Sequence, residues 1–144
     1  MDVEVLEIRQ HMARFAPFEA LSDELLDKVA GSVDVVYFKA GSEILHRDQT
    51  IDELHYIRSG AIEIYRRSGT LHNRLEEGDI YGHFSLLRNR RVHFPAKAIE
   101  DTLIYLIPAS VFEELCAENE QFADFVELDQ PRLKSTVERR AGEA

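Results

Sequence analysis

The stretch from Gly78 to Pro108 reads "GDIYGHFSLLRNRRVHFPAKAIEDTLIYLIP" and sets two glycines, two histidines and three arginines between two strand-like segments. Its irregular part runs from Tyr81 to Pro95. There "IYGHFSLL" places a glycine directly after a strand and follows it with a short apolar run. That pattern predicts a single helical turn, whose first N–H groups, at Gly82, His83 and Phe84, have no acceptor inside the helix. A close-approach glycine and a helix start together suit an anion. A phosphate held there would also call for a fixed cation, preferably an arginine fork, and Arg88, Arg90 and Arg91 are near in sequence. The same residues equally describe a surface loop kept solvated by its arginines.

Upstream of this stretch, from about Asp34, the chain is a string of short strand-like segments: "DVVYF", "EILH", "LHYIRSG", "AIEIYRR" and "LHNRLEEGD". "KAIED" and "TLIYLI" continue the series within it. Alternation is plain in "AIEIY", where Ile62 and Ile64 face one way and Glu63 the other. Turn signals carry Gly41, Gly60, Gly69 and Gly78 at fairly even intervals. Short strands, regular turns and no long helix between them predict a compact β-sandwich or β-barrel.

Both ends read as helical. Val5, Ile8, Met12 and Phe15 form one apolar stripe, Pro17 breaks it, and "SDELLDKVAG" restarts with Ser22 as N-cap and Gly31 as the stop. Beyond Pro108, which suits a first helical turn, Val111, Phe112, Leu115, Phe122, Phe125 and Val126 share a side, with a bend expected near Asn119. Pro131 interrupts the pattern, and the polar tail reads as frayed or as the start of a linker. One domain is therefore expected over residues 1–144: helices at 1–31, a β-zone at 32–107 with its irregular segment at 78–95, and helices and tail at 108–144.

With 144 residues there is room for one hydrophobic core, and 44% apolar and 31% charged residues are ordinary for a globular chain. No apolar run approaches the ~20 residues of a membrane span. The acidic N-terminus lacks the layout of a secretory signal, so a cytoplasmic location without membrane contact is expected. Acidic residues outnumber basic ones 27 to 17, for a net charge of −10. Broad contact with nucleic acid is thereby disfavoured. The single cysteine, Cys116, is expected to be a buried bystander beside Phe112 and Leu115. His46, His55, His72, His83 and His93 are spread through the β-zone without an H-x-H pair, so no metal site is expected. No nucleophile triad, Walker loop or dinucleotide fingerprint occurs, which predicts a protein that is not an enzyme and needs no cofactor.

The order of elements, with "FAPFEALSDELLDKVAGSVDVVYFKAGSEILHRDQTIDELHYIRSGAIEIYRR", "LEEGDIYGHFSLL" and "AIEDTLIYLIPASVFEEL", resembles the cyclic-nucleotide-binding domain family over nearly the whole chain. Gly41, Gly60, Gly78, Gly82, Leu86 and Leu87 fall in register with it. The resemblance implies a mainly β fold with flanking helices: an eight-stranded, jelly-roll-like β-roll with a phosphate-binding cassette and a helical lid. In the family's cassette, F-G-E-(L/I)-(A/S)-L is followed by R-(A/S/T)-A. Tyr81 and Gly82 match the opening, and Phe84, Ser85 and Leu86 match the later positions. His83 stands in place of the ribose-binding glutamate, Val92 in place of the phosphate-binding arginine, and His93 at the Ser/Thr position. Each charged hydrogen bond lost is worth roughly 1.5–3 kcal/mol. Losing both grips should weaken cyclic AMP or cyclic GMP by on the order of a thousandfold. Arg91 could compensate in part, although neighbours on a strand face opposite ways.

"G-H-x-S-L-L" with "A-x-E-D-T-L-x-Y-x-(L/I)-P" further resembles the N-terminal domain of bacterial signalling proteins that carry CBS and nucleotidyltransferase-like domains, which would make this chain a fragment or a stand-alone relative. The expected function is a regulatory or sensory module with a degenerate cassette. Its ligand-facing residues are Gly82, His83, Phe84, Ser85, Arg91, Val92 and His93, and its ligand, if any, is a small nucleotide-like anion. Ser85 is open to two readings, a ligand hydroxyl or a cap of the cassette turn. The alternative function is a ligand-free interaction scaffold, or a homodimer through the C-terminal helices, with Phe122, Phe125, Val126 and Leu128 as its contact surface. A helix-turn-helix regulator is disfavoured, because few residues follow Pro131.

Overall fold

The structure is a computed structural model and describes residues 2–129. The polar tail after Pro131 lies outside the described residues. Asp2 caps α1 (Val3–Met12), its carboxylate accepting from the Val5 N–H at 3.2 Å. Ser22 does the same for α2 (Asp23–Ser32) through the Leu25 N–H, also at 3.2 Å. Asp23 and Glu24 follow in the first turn, where the helix dipole favours negative charge. Of the expected stripe on α1, Ile8 and Met12 are buried and Val5 is half-buried. Phe15 lies just past the helix and packs over Gly78. That glycine has φ +85°, and a Cβ there would sit 2.2 Å from a Phe15 ring carbon. Gly31 does not end α2, as expected; it lies inside the last turn. The helix runs one residue further, to Ser32, and stops because Val33 turns extended and Asp34 enters the sheet opposite Leu106.

The expected strands are β1 (Asp34–Phe38), β2 (Glu43–Leu45), β3 (Glu53–Ser59), β4 (Ala61–Tyr65), β5 (Leu71–Glu76), β7 (Ala96–Ala98) and β8 (Thr102–Pro108). The eighth, β6, is only Ile80–Tyr81. They form two four-stranded antiparallel sheets, β1-β8-β3-β6 and β2-β7-β4-β5. The β4 alternation holds: Ile62 and Ile64 are buried and Glu63 is half-exposed.

β3 breaks that alternation, since Leu54, His55, Tyr56 and Ile57 are all buried. The strand has protein on both faces. His55 and Ile57 face the interior of the roll, while Tyr56 faces the helices. Tyr56 stacks on Tyr105 with ring centroids 5.6 Å apart and is met edge-on by Phe18 at 5.4 Å. Phe18, in a 3₁₀ turn (Phe18–Ala20), meets Phe122 at 5.4 Å, and Phe122 meets Phe112 at 6.1 Å. This aromatic chain fastens the C-terminal helices to the sheet. Those helices are α4 (Ala109–Glu118) and α5 (Glu120–Leu128), parted at Asn119 as the pattern predicts. The Asn119 Oδ1 accepts from the Phe122 N–H at 2.8 Å, and its Nδ2 donates to the Ala20 carbonyl at 3.0 Å. Pro108 is both the end of β8 and the N-cap of α4, one position earlier than expected.

Phe122 and Val126 belong to this core, at 0% and 1% exposure, and so cannot form the intermolecular surface expected of them. Their helical face is already taken by Phe18 and Phe112. Phe125 is half-buried and Leu128 is exposed. Cys116 is half-buried, and burial pushes its thiol up to about 11, so it is not a thiolate near neutral pH. Among the described residues no helix is long and apolar enough to cross a membrane.

Candidate ligand-binding cassette

The chain leaves β6 through Gly82, with φ +102°, into the one-turn helix α3 (His83–Leu86). A Cβ on Gly82 would lie 2.7 Å from Ile51 Cδ1, the movable tip of a side chain, so it is the left-handed backbone conformation that requires glycine. Tyr81 just before it donates its hydroxyl to the Phe94 carbonyl, and Phe94 in turn stacks on His72 at 4.3 Å. The two ends of the cassette loop are thus pinned together. Across from Tyr81 on β3, His55 donates Nδ1–H to the Glu53 carbonyl at 3.1 Å. Burial pushes its imidazole down to about 4, so the ring is neutral at ordinary pH.

His83 is buried and reaches the far end of α5. Its Nε2 lies 2.6 Å from the Asp129 carbonyl and 3.1 Å from the Asp129 Oδ2. Both partners only accept, so Nε2 carries the proton. The other ring nitrogen, Nδ1, is buried and has no hydrogen-bond partner among the described residues.

Ser85 donates its hydroxyl to the Arg91 carbonyl at 2.7 Å. Its own carbonyl accepts from the Arg88 and Arg90 N–H groups at 3.0 and 2.8 Å. Through its hydroxyl and its carbonyl, Ser85 ties the cassette loop together. Val92 is 1% exposed, its N–H donating to the Gln49 carbonyl at 2.9 Å. The position where the family pattern has an arginine is therefore apolar and enclosed.

The arginines do not sit as expected. Arg91, the one expected to add to the pocket, is exposed, and its guanidinium reaches only the Asp48 carbonyl, at 3.4 Å, among the described residues. Its neighbour Val92 is enclosed instead. Arg88 and Arg90 are not simply solvated. Arg88 lies 3.9 Å over the Phe84 ring and 3.5 Å from Glu127 of α5. Arg90 pairs with Asp52 at 3.2 Å and with Glu113 of α4 at 2.5 Å. His93 is exposed, its ring edge-on to the half-buried Phe84 at 5.7 Å. Gly82, His83, Ser85 and Val92 thus come together in the enclosed cassette, whereas Arg91 and His93 lie outside it. The sequence reading missed Asp129, Glu127 and Glu113. The available signal was an acidic series on the lid helices facing the basic "RNR".

These features match a known architecture. The profile described as "Cyclic nucleotide-binding domain" matches residues 35–119, well over half of the chain. The chain belongs to the cyclic nucleotide-binding domain family. One curated relative, the HTH-type transcriptional regulator Cmr of Mycobacterium tuberculosis, is 29% identical over 92 residues, which cover 62% of this chain and 38% of that protein. The chain therefore corresponds to less than half of that relative's length. Among solved structures, the sensor domain of the transcriptional regulator DNR from Pseudomonas aeruginosa superposes with a TM-score of 0.74 at 18% identity, covering 83% of this chain and 87% of that one. The regulatory subunit of a cAMP-independent protein kinase A from Trypanosoma brucei gives a TM-score of 0.71 at 17% identity, covering 78% and 43%. At these identities the likeness is one of fold.

Proposed function

We propose that this chain is a non-catalytic regulatory domain whose degenerate cassette is closed by its own lid helix and does not hold cyclic AMP or cyclic GMP usefully. The observation that carries this reading is the His83–Asp129 contact. At the position where the family pattern has a ribose-binding carboxylate, a histidine is joined to the end of α5. Arg88–Glu127 and Arg90–Glu113 reinforce the closure from the same loop. A signal would be passed when this loop and α4–α5 separate, a two-state element that a ligand or partner could bias. The fold occurs both in a sensor domain and in a kinase regulatory subunit described as cAMP-independent, which fits a sensing role without cyclic AMP.

With Nε2–H committed to Asp129, Nδ1 of His83 is the ring atom left for a ligand. It presents a lone pair when the ring is neutral and a donor when it is protonated, and the protonated form suits a small anion. The competing reading, a ligand-free scaffold, draws on the buried Val92 and on exposed Leu128 as part of a protein contact such as a homodimer. DNA-directed output, as the name of the mycobacterial relative suggests, would need a further domain. A net charge of −10 makes this one a poor phosphate-contacting surface. A CBS or nucleotidyltransferase-like output domain is the other arrangement that suits it.

Calorimetric titration with cyclic AMP and cyclic GMP tests the central claim. No saturable heat is expected, and a dissociation constant in the low micromolar range for either would overturn it. A thermal-shift series with inorganic phosphate and non-cyclic nucleotides tests the anion reading. Stabilisation by one of them that survives His83→Ala would remove His83 from the role.

A further inference from the structure

Away from the cassette, a polar groove runs between α1 and the outer face of the β1–β8–β3 sheet. Glu7, Gln10 and His11 of α1 and Arg14 of the turn after it form one wall, Arg58 forms the other, and Tyr105 the floor, around about 470 Å³. A second hollow of about 300 Å³ shares Glu7, Arg58 and Tyr105 and continues past Ile8, Val35 and Leu103. The two make one groove with charges at its centre and an apolar end. Val35 and Leu103 remain well exposed there, at 40% and 37%.

The charges at the centre are only partly committed. Glu7 and Arg14 form no ion pair with any described residue; Arg14 only rests its guanidinium 5.3 Å from the Phe15 ring. Arg58 pairs with Glu77 at 3.8 Å and interacts with the Tyr105 hydroxyl, and the remaining donors of its five-donor fork stay available. Glu77 is held elsewhere, accepting from His11 Nε2 at 2.6 Å, while His11 Nδ1 meets the Tyr56 hydroxyl at 2.8 Å. His11 thus has both ring nitrogens occupied and serves as a fixed wall. What faces the groove is two carboxylates, Glu7 and Glu4, and two guanidinium groups beside an apolar shelf.

We propose that this groove binds a small zwitterion with an apolar side chain, of the class of a leucine-like α-amino acid. Its carboxylate would meet Arg58 and Arg14, its ammonium would meet Glu7, and its side chain would cover Val35 and Leu103. A simple carboxylate would have to lie beside Glu7 and Glu4, and a simple amine beside two guanidinium groups. Only a ligand carrying both charges complements the lining. This site is independent of the cassette.

The test is a backbone-amide NMR titration of the full chain with L-leucine, 4-methylpentanoate and 3-methylbutylamine. Leucine is expected to shift the amides of Arg58, Ser59, Leu103 and Tyr105. Each analogue, lacking one charged group, is expected to bind about tenfold or more weakly. Glu7→Gln should erase the preference over the acid, and Arg14→Gln should narrow the preference over the amine. Both positions are exposed, Glu7 on α1 and Arg14 in the turn after it, and an unchanged thermal melt confirms that each variant is folded. The proposal is overturned if leucine leaves those amides unmoved, if the acid binds as well as leucine, or if both variants bind leucine like the parent.

Discussion

His11 and His83 are equally buried, each at 5% exposure, yet they do different work at opposite ends of the helical layer. His11 joins α1 to the centre of β3 and to the turn after β5, with a protein partner on each ring nitrogen. Tyr56 donates its O–H to Nδ1 and Nε2–H donates to Glu77, an arrangement of the neutral ring. Desolvation lowers the His11 pKa in the same sense. His83 joins the cassette to a single residue at the end of α5 and leaves Nδ1 without a partner. One histidine is a rivet between elements that never need to part. The other is a latch between elements that must part if the domain is to signal. Saturation of hydrogen bonds, not burial, separates the two.

The aromatic chain beneath α5 is what both ends share, so its loss is the largest expected effect. Phe122→Ala should cost about 3–5 kcal/mol in chemical denaturation, because a fully buried ring is replaced by a cavity between Phe18 and Phe112. A loss below about 1 kcal/mol would mean that α5 is not anchored there.

A third buried histidine gives the pH dependence. His55 holds its pKa near 4 in the fold, against about 6.5 in the unfolded chain. Between those values the unfolded chain binds a proton that the native state refuses, so stability falls as pH falls. The loss is about 3 kcal/mol from pH ~7 to ~4, with His11 shifted in the same direction. Stability measured across that window should flatten in His55→Leu. An unchanged slope would place the acid sensitivity elsewhere.

The rivet and the latch can be compared directly. His11→Ala leaves the fully buried Tyr56 hydroxyl with only the 3.5 Å contact to the residue 11 carbonyl and opens a cavity, which should cost about 2–4 kcal/mol globally. His83→Ala should cost about 1 kcal/mol, because the Asp129 side chain is 23% exposed and water can replace the ring. Its signature should be local: faster amide exchange in the last turn of α5 with the rest of the core unchanged. Equal global losses for the two variants would abolish the distinction.

Most of the frame was legible because it rests on local rules. Ser22 caps a helix wherever it stands before "DELL", and Ile62 and Ile64 alternate whatever lies opposite them. β6 was hidden because two residues cannot show a period. The apolar stripe Val5–Ile8–Met12 drew attention from the polar one beside it, Glu7–His11–Arg14, whose meaning depends on Tyr56 and Glu77 far along the chain. In the cassette, the departures at His83 and Val92 stood out by position. Asp129 is 46 residues beyond His83, and only the bend at Asn119 brings it there. Long-range pairing of side chains has no local signature, which is also why Arg88 and Arg90 read as solvated.

Those two arginines give the smallest expected effect and the finest test of the latch. Arg88 and Arg90 are more than a third exposed, and their partners Glu127, Asp52 and Glu113 more so. Such pairs contribute about 0.2–1 kcal/mol each. Arg90 has a second feature: its φ of +60° is one that a residue with a Cβ adopts at a cost and glycine does not. Arg90→Ala keeps that cost and loses the pairs with Asp52 and Glu113, so it should destabilise by about 0.5–1 kcal/mol. Arg90→Gly loses the same pairs but relieves the backbone, and should lie within about 0.5 kcal/mol of the parent. If glycine is no better than alanine in urea denaturation, strain at this position is negligible and the ion pairs alone set the cassette loop. If glycine matches the parent while exchange in α4 quickens, the pairs act on the lid and not on the fold.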